Sequence, residues 1–229
     1  MKKIAVIPAY EPDERMVKLV EEAAAAGYAV LLVNDGSKEA FQELFLRAKE
    51  HATVISYTRN RGKGHALKRA FSWLLEHEMG EYYVILLDAD GQHTVKDAER
   101  LLQKLEEEPD ALWLGTRYLP PDAPLRSRFG NDMNRFLFRK ATHQPVYDVQ
   151  TGMRAFSSRL LPGMEKIPGE RYEYEMNVLL WLARRRVPIR EMEIETIYID
   201  GNASSHFRPL RDSVIIYKQI IRTFGSYLK

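Results

Sequence analysis

Short apolar runs alternate with amphipathic stretches through the first half of the chain. Runs rich in Val, Ile and Leu predict strands, and apolar residues recurring every three to four positions predict helices. The strands are predicted at 4–8, 28–33, 53–57, from 84 onward and at 111–115, and the helices at 13–26, 38–51, 63–78 and 95–107. In the third helix the predicted buried face is Leu67, Ala70, Phe71, Leu74 and Leu75. This alternation predicts an α/β fold with a Rossmann-like, mostly parallel, doubly wound sheet and right-handed crossovers.

The second half of the chain is less regular. Arginines and phenylalanines interleave from Leu125 to Thr142, which predicts either a helix lying at a lipid interface or a helix packing its aromatic side chains into the core. A helix from Tyr172 to Arg186, an edge strand or hairpin from Ile189 to Tyr198 and an amphipathic helix from Ser213 to Leu228 follow. We expect these elements to form a C-terminal subregion with amphipathic helices.

Composition indicates one domain with unequal charge. The 229 residues, 45% of them hydrophobic, are enough for a single core over residues 1–229. Residues 1–116 carry 15 Lys and Arg against 20 Asp and Glu, a net charge of −5, whereas residues 117–229 carry 19 against 12, a net charge of +7. The positive charge of the second range favours an anionic surface or substrate.

Several classes of protein are disfavoured by what the sequence lacks. It has no cysteine, which excludes disulfides and thiolate metal sites. The start, Met1-Lys2-Lys3, leads into a short strand-like run without a cleavage site, so no signal peptide is expected. No apolar run reaches about 18 residues, so no membrane span is expected either. There is no Gly-x-Gly-x-x-Gly after the first strand, which disfavours a dinucleotide-binding oxidoreductase.

The apolar strand from Val84 ends in Asp88-Ala89-Asp90-Gly91-Gln92. Ligands of parallel sheets gather at the carboxyl ends of the strands. Asp88 and Asp90 leave the strand on the same side, and the amide oxygen of Gln92 follows two residues later. Such oxygen ligands suit Mg²⁺ or Mn²⁺, although Asp-x-Asp alone often arises by chance.

Two other strands also end in polar residues. Pro8, Tyr10 and Glu11 follow the first strand, where the aromatic ring either stacks on a nucleobase or packs a loop. Asp35 follows the second strand, where it either accepts from a base N–H or belongs to an ordinary turn with Ser37 as helix cap.

A glycine-rich turn precedes the third helix. In Arg61-Gly62-Lys63-Gly64, free backbone N–H groups, the helix dipole and Lys63 together suit a phosphate group. The turn lacks the Gly-Lys-Ser/Thr ending of a Walker A loop, so it is not predicted to bind phosphate in that manner.

Six segments together resemble the family 2 inverting glycosyltransferases of GT-A fold, in the branch of the dolichyl-phosphate mannose synthases and bacterial polyprenyl-phosphate glycosyltransferases. These segments occur in order at 8–11, 34–37, 61–64, 88–93, 115–118 and 150–156. The resemblance spans nearly the whole chain. It implies that residues 1–116 form the nucleotide-sugar-binding half and that residues 117–229, with the C-terminal subregion, form the acceptor-binding half. One departure is Asn34, where many members have a second aspartate; Asp35 beside it is retained.

The resemblance implies a role for each matching residue. The base and ribose pocket matches Pro8, Tyr10, Glu11 and Asp35, and the metal and diphosphate site matches Asp88, Ala89, Asp90 and Gln92. Arg117 matches a basic position near the acceptor phosphate, Arg154 lies in the segment that lines the acceptor side, and His206 and Arg208 match a loop that closes over the diphosphate. Asp148 is the nearest fit to a general base, which a hydroxyl acceptor would need and an ionised phosphate would not.

The predicted activity is transfer of a sugar from a nucleoside diphosphate, with UDP favoured, to a polyprenyl phosphate. Mg²⁺ or Mn²⁺ is the expected cofactor. The enzyme is expected to lie in the cytoplasm, bound peripherally to anionic lipid at the inner face of the cell membrane, without nucleic acid as a partner. A homo-oligomer or a separate membrane partner is the alternative cover for the apolar terminal helix. The alternative functions are transfer to a saccharide or protein hydroxyl, nucleotidyl transfer and non-catalytic sensing of a sugar nucleotide.

Overall fold

The computed structural model describes residues 1–117, 135–136, 138–140, 142 and 144–195. Within these ranges strands and helices alternate in nearly the predicted order. They are β1 (Lys2–Ala9), α1 (Glu14–Ala25), β2 (Ala29–Asn34), a 3₁₀ turn (Glu39–Phe41), α2 (Gln42–Ala48), β3 (Thr53–Ser56), α3 (Lys63–His77), β4 (Tyr82–Leu86), α4 (Val95–Glu107), β5 (Leu112–Thr116), β6 (Arg154–Ser157), a 3₁₀ turn (Ser158–Leu160), α5 (Leu161–Met164), α6 (Glu173–Arg184) and β7 (Ile189–Glu193).

Local sequence explains where several helices begin and end. The carboxylate of Asp13 accepts from the N–H of Arg15 at the start of α1, and the hydroxyl of Thr94 accepts from the N–H of Asp97 at the start of α4. After α1 the chain turns at Gly27, whose φ of 85° is a left-handed conformation that glycine adopts easily. These signals place the first and fourth helices within a residue of their predicted bounds.

The described residues form a mixed sheet with the strand order β3-β2-β1-β4-β6-β5-β7. The first four strands in this order are parallel, as predicted, and β7 runs parallel to β5 at the edge. Strand β6 lies between β4 and β5 and is antiparallel to both. The sequence had indicated only a tight turn and a cation at 151–154, so this central strand is an addition to the predicted fold.

The sheet separates two hydrophobic clusters. Side chains alternate along β1, with Ile4 and Val6 packing against α3 and α6 on one face, and Ala5 and Ile7 packing against α1, α2 and α4 on the other. Both faces are therefore covered, which explains the continuous apolar runs of the central strands.

Some predictions for the second half fall on residues that are not described. Most of the helix predicted from Leu125 to Thr142 and all of the terminal helix from Ser213 to Leu228 lie outside the described ranges. At 135–136, 138–140 and 142 the backbone is helical, with Phe138 buried and Phe136 55% exposed. Among the helices of the described ranges, none is long and apolar enough to cross a membrane.

Helix α3 provides a test of the packing on one face of the sheet. Phe71 is fully buried and meets Phe156 of β6 edge to face, with ring centroids 5.9 Å apart. We expect Phe71→Ala to lower the free energy of unfolding by about 3–5 kcal/mol, because it leaves a cavity at this contact.

The matched control is Leu75→Ala, one turn later in the same helix. Leu75 had been predicted on the buried face but is 41% exposed, so its truncation should cost less than about 1 kcal/mol. Urea denaturation followed by circular dichroism measures both values. Similar losses in the two variants would contradict the packing described for α3.

Candidate functional site

The carboxyl ends of three neighbouring parallel strands, β2, β1 and β4, meet at one edge of the sheet. Asp35 directly follows β2, and Tyr10 and Glu11 directly follow β1. Asp88 follows β4 after one further residue and Asp90 after three. The parallel order therefore brings these predicted site residues to a common rim.

The loop after β1 is held in a strained conformation beside Tyr10. Glu11 has a φ of 46°, which non-glycine residues rarely adopt. Its backbone N–H donates to Ser37 Oγ at 2.9 Å, and its carboxylate pairs with Lys38 Nζ at 2.9 Å. Ser37 thus fixes the end of β1 and does not cap a helix. Such a conformation persists only where neighbouring contacts determine it, so the rim has a defined shape next to Tyr10 and Pro8.

Asp35 is buried and accepts four hydrogen bonds from the segment between β3 and α3. Oδ1 accepts from Tyr57 Oη at 2.7 Å and the N–H of Arg61 at 2.8 Å. Oδ2 accepts from Asn60 Nδ2 at 2.9 Å and the N–H of Gly62 at 2.8 Å. A carboxylate has about four acceptor positions, and all four are engaged here. The turn N–H groups expected to meet a phosphate therefore have an internal carboxylate as their partner.

The two glycines of this turn permit close packing against the segment before α6. A Cβ on Gly62 would lie 2.6 Å from the carbonyl oxygen of Glu170, and one on Gly64 would lie 2.5 Å from the Cβ of Tyr174. Both positions therefore require glycine for backbone contact. The contact brings the start of α3 next to the start of α6.

Lys63, at the first position of α3, connects the partly buried carboxylate of Asp88 with the buried carboxylate of Glu175. Its Nζ lies 2.6 Å from Asp88 Oδ1 and 3.1 Å from Glu175 Oε1 of α6. Burial opposes the charged form of Lys63, but the two carboxylates outweigh it and raise its pKa. The predicted phosphate-binding lysine is thus an ionised link between the end of β4 and α6.

The orientation of Asp88 is fixed by two further residues. His93 Nδ1 accepts from the N–H of Asp88 at 2.9 Å. Burial lowers the pKa of His93 to about 4, so its ring is neutral at pH 7 and can act as this acceptor. Gly152 lies directly against the carboxylate, and any Cβ at that position would collide with both oxygens of Asp88.

Asp90 begins a chain of contacts toward the second half of the molecule. Asp90 Oδ1 accepts from the N–H of Gln92 at 3.0 Å, and Gln92 Oε1 accepts from Arg117 Nη1 at 2.6 Å. Ala89, between the two aspartates, is partly buried against the α1 and α4 side of the core. The predicted acceptor-side arginine therefore lies next to the predicted metal loop.

Charges around this loop affect each carboxyl group differently. Burial opposes ionisation of Asp88, but Lys63 outweighs it and lowers the pKa of Asp88 to about 2. Burial raises the pKa of Asp90, and the nearby charge of Asp88 raises it further. Burial also raises the pKa of Asp148, and the positive charge of Arg117 partly offsets this increase. Asp88 is therefore ionised at neutral pH, and an additional positive charge would stabilise the ionised forms of Asp90 and Asp148.

Arg154 is buried in the central strand β6, with 1% of its surface exposed. Its guanidinium donates to the carbonyl oxygens of Thr151 at 2.9 Å, Glu175 at 2.9 Å and Val149 at 3.4 Å. This cation, predicted to line the acceptor side, joins the turn before β6 to α6. The geometry favours a role in positioning that turn.

The predicted site residues and those that the structure brings together are not the same set. His206 and Arg208 lie outside the described residues. Glu175, Gly152 and His93 were not predicted as site residues. The sequence offers only weak signals for them. Glu175 is an acid near the start of a predicted helix, and His93 and Gly152 lie within the segments 88–93 and 150–156 of the family resemblance.

The residues at the rim fit a divalent cation. Within the described ranges, no group of three or more His, Asp or Glu side chains is arranged to hold a metal ion. The two carboxylates and the Gln92 amide are nevertheless the oxygen ligands that Mg²⁺ and Mn²⁺ accept, and these ions often leave other positions to substrate phosphates and water. Asp90 is the best placed of the three, since Lys63 and Arg117 already contact Asp88 and Gln92.

The fold is that of the GT-A glycosyltransferases. A crystal structure of glucosyl-3-phosphoglycerate synthase from Mycobacterium tuberculosis, in complex with Mn²⁺, UDP and phosphoglyceric acid, matches with a TM-score of 0.71. The match covers 98% of this chain and 78% of that one at 18% identity. Identity this low supports the fold and not a shared substrate.

Sequence comparison identifies the family. The model of glycosyl transferase family 2 matches residues 4–162. The chain therefore belongs to glycosyltransferase family 2 and is a glycosyltransferase, as the six segments had indicated.

Several relatives are named for polyprenyl-type phosphate acceptors. The UDP-N-acetylglucosamine–dolichyl-phosphate N-acetylglucosaminyltransferase of Methanococcus voltae is 25% identical over 97% of this chain and 96% of its own length. The dolichyl-phosphate beta-glucosyltransferase of Dictyostelium discoideum is 23% identical over 97% of this chain and 74% of its own. The polyprenol monophosphomannose synthase of Mycolicibacterium smegmatis is 29% identical over 70% of this chain and 63% of its own.

The contact of Gly152 with Asp88 gives a direct test of the site. We expect Gly152→Ala to displace the Asp88 carboxylate and to reduce sugar transfer by about 100-fold or more, as misplacement of a catalytic site by about 1 Å can do. Transfer is measured from a labelled sugar nucleotide, and the melting temperature is measured in parallel.

Gly80→Ala is the matched control. Gly80 has a φ of 76°, but a Cβ there meets no atom within 4 Å. This variant should lose about 1 kcal/mol of stability through backbone strain and retain transfer activity. Full activity in Gly152→Ala would refute the role given to the Gly152 contact.

Proposed function

We propose that the enzyme transfers a sugar from a nucleoside diphosphate, with UDP as the favoured nucleotide, to a polyprenyl phosphate. The observation that carries this proposal is the convergence of Asp88, Asp90 and Arg117 around one loop at the sheet edge. Acidic oxygens for a cation and a neighbouring arginine for an anionic acceptor suit a reaction between two phosphate-bearing substrates. The relatives named for dolichyl and polyprenol phosphates support the same acceptor class.

The proposed reaction is an inverting displacement. An oxygen of the acceptor phosphate attacks the anomeric carbon, and the bond from that carbon to the diphosphate breaks on the opposite side. The nucleoside diphosphate leaves with the electron pair. A phosphate is already ionised at neutral pH, so no group has to remove a proton from it.

Different residues would bind the sugar donor and the acceptor. Asp90, with Asp88 and Gln92, would hold Mg²⁺ or Mn²⁺, which supplies positive charge to the departing diphosphate. Arg117 would orient the acceptor phosphate beside the metal loop. Tyr10 and Glu11 would form the wall against the base and ribose. Because Asp35 is fully engaged, its proposed contribution is to shape this pocket.

The acceptor implies a place of action. A polyprenyl phosphate resides in a membrane, so the enzyme would work at the cytoplasmic face, bound peripherally. The net charge of +7 over residues 117–229 supports association with anionic lipid.

Asp90→Asn tests the metal and donor parts of the proposal. The change keeps the shape of the side chain but removes its charge, so Mn²⁺-dependent UDP binding should weaken by about 100-fold or more, since even outer-shell changes cost 10–100-fold. Isothermal titration of the wild type and the variant with UDP and GDP, each with and without Mn²⁺, measures this.

Asp110→Asn is the control, since that exposed carboxylate pairs with Arg159 on the surface. It should bind UDP like the wild type. Equal UDP affinity in Asp90→Asn and the wild type would reject the metal site, and preference for GDP would reject the UDP assignment.

Asp148→Asn separates the two acceptor classes. The amide can still accept the hydrogen bond that Asp148 Oδ1 receives from the N–H of Gln150 at 3.1 Å, but it cannot act as a base. With a phosphate acceptor, the transfer rate should fall by less than about tenfold. With a hydroxyl acceptor, loss of a general base should cost about 10²–10⁴-fold. Transfer to a short-chain polyprenyl phosphate and to a free saccharide, assayed side by side, decides between them.

A further inference from the structure

The ammonium group of Lys63 is divided between two carboxylates that belong to different parts of the fold. It lies 2.6 Å from Asp88 at the end of β4 and 3.1 Å from Glu175 in the first turn of α6. Glu175 takes no part in the mechanism above, yet its side chain is only 8% exposed. A buried carboxylate in contact with the lysine that holds a proposed metal ligand calls for a functional explanation.

Glu175 depends chiefly on Lys63 for its countercharge. The other cation near it is Arg154, whose Nε lies 4.0 Å from Glu175 Oε1. The guanidinium of Arg154 is already engaged by three carbonyl oxygens. Lys63 is therefore attracted in two directions, toward Asp88 and toward Glu175.

We propose that Glu175 is a positioning residue that sets the divalent-cation affinity of the Asp88 and Asp90 pair. It does so by weakening the electrostatic interaction between Lys63 and Asp88. Lys63 and a divalent ion would compete for the same Asp88 carboxylate. The negative charge of Glu175 provides a second partner for the ammonium group. Lys63 then competes less strongly with the divalent ion for the Asp88 carboxylate. The inference rests on the metal site proposed above and concerns a residue outside it.

The sign of the effect follows from electrostatics. With Glu175 neutral, Lys63 interacts with Asp88 alone, and a divalent ion binds less well. With Lys63 replaced by an apolar residue, the competing charge is gone, and the ion binds better. These interactions are stronger than on an open surface, because Glu175 is buried and Lys63 and Asp88 are only 15% and 28% exposed, which lowers the effective dielectric constant.

The experiment measures Mn²⁺ binding to the full chain by electron paramagnetic resonance of the free ion, without a sugar donor. Glu175→Gln should weaken Mn²⁺ binding by about tenfold, and Lys63→Met should strengthen it by about tenfold, in the range that neighbouring groups exert on metal sites. A purely structural role for the buried ion pair predicts lower melting temperatures for both variants without opposite changes in affinity.

A neighbouring ion pair provides matched controls. Lys68 of α3 pairs at 2.7 Å with Glu170, which precedes α6, and among the described residues the salt-bridge partner of Asp88 is Lys63. Lys68→Met and Glu170→Gln should leave Mn²⁺ binding within about twofold of the wild type, the ordinary independence of separated sites. Shifts in the controls as large as those at 63 and 175 would overturn the proposal.

The double variant Lys63→Met, Glu175→Gln tests whether Glu175 acts through Lys63. If it does, Glu175→Gln should have little effect once Lys63 is absent. If the affinity still falls tenfold, Glu175 acts directly and the proposal is wrong. Should Lys63→Met fail to fold, an unchanged affinity in Glu175→Gln alone is sufficient to reject it.

The wild type separates this proposal from the proposed function. Absence of Mn²⁺ binding to the wild type, with or without UDP, would reject the metal site and this inference together. Normal binding by the wild type with no shift in the variants would reject this inference alone.

Discussion

The Asp88 carboxylate, partly buried at the end of the central strand β4, has to be neutralised, and much of the structure around the site follows from this requirement. An isolated carboxylate in such a place would be costly, because it loses its hydration. Asp88 meets the ammonium of Lys63, and this pairing needs α3 to begin at one particular point. Gly62 and Gly64 permit that position by bringing α3 against the segment before α6. Gly152 leaves the space that the carboxylate occupies.

Most elements of the first half could be predicted because their signals are local. Apolar runs, helical spacing and caps such as Asp13 and Thr94 are properties of a few adjacent residues. Strand β6 could not be predicted in the same way. Its four residues include Arg154, a charged residue on a central strand that donates to carbonyl groups of the preceding turn and of the distant helix α6. The antiparallel direction of β6 likewise depends on the strands on either side of it.

The site shows the same division between local and distant information. The rule that ligands gather at strand ends was enough to bring Glu11, Asp35, Asp88 and Asp90 to one rim. The sequence could not assign partners to charges, so Lys63 was predicted to contact a phosphate and Arg154 an acceptor, while the structure pairs the first with two carboxylates and the second with backbone carbonyls. Glu175 and Gly152 contact residues far from them in the sequence, Lys63 and Asp88, which no local pattern could indicate.

The antiparallel strand β6 also affects the order in which the chain can fold. Strand β4 is exposed along one edge until Arg154–Ser157 has been synthesised, because only then can β6 pair with it. A nascent chain carrying β1 to β5 therefore has an unpaired edge on a fully apolar central strand, a feature that favours aggregation. Long-range pairings of this kind form late, since a large loop must close first. During synthesis, the ribosome-bound chain would thus benefit from a chaperone that covers β4 until β6 emerges.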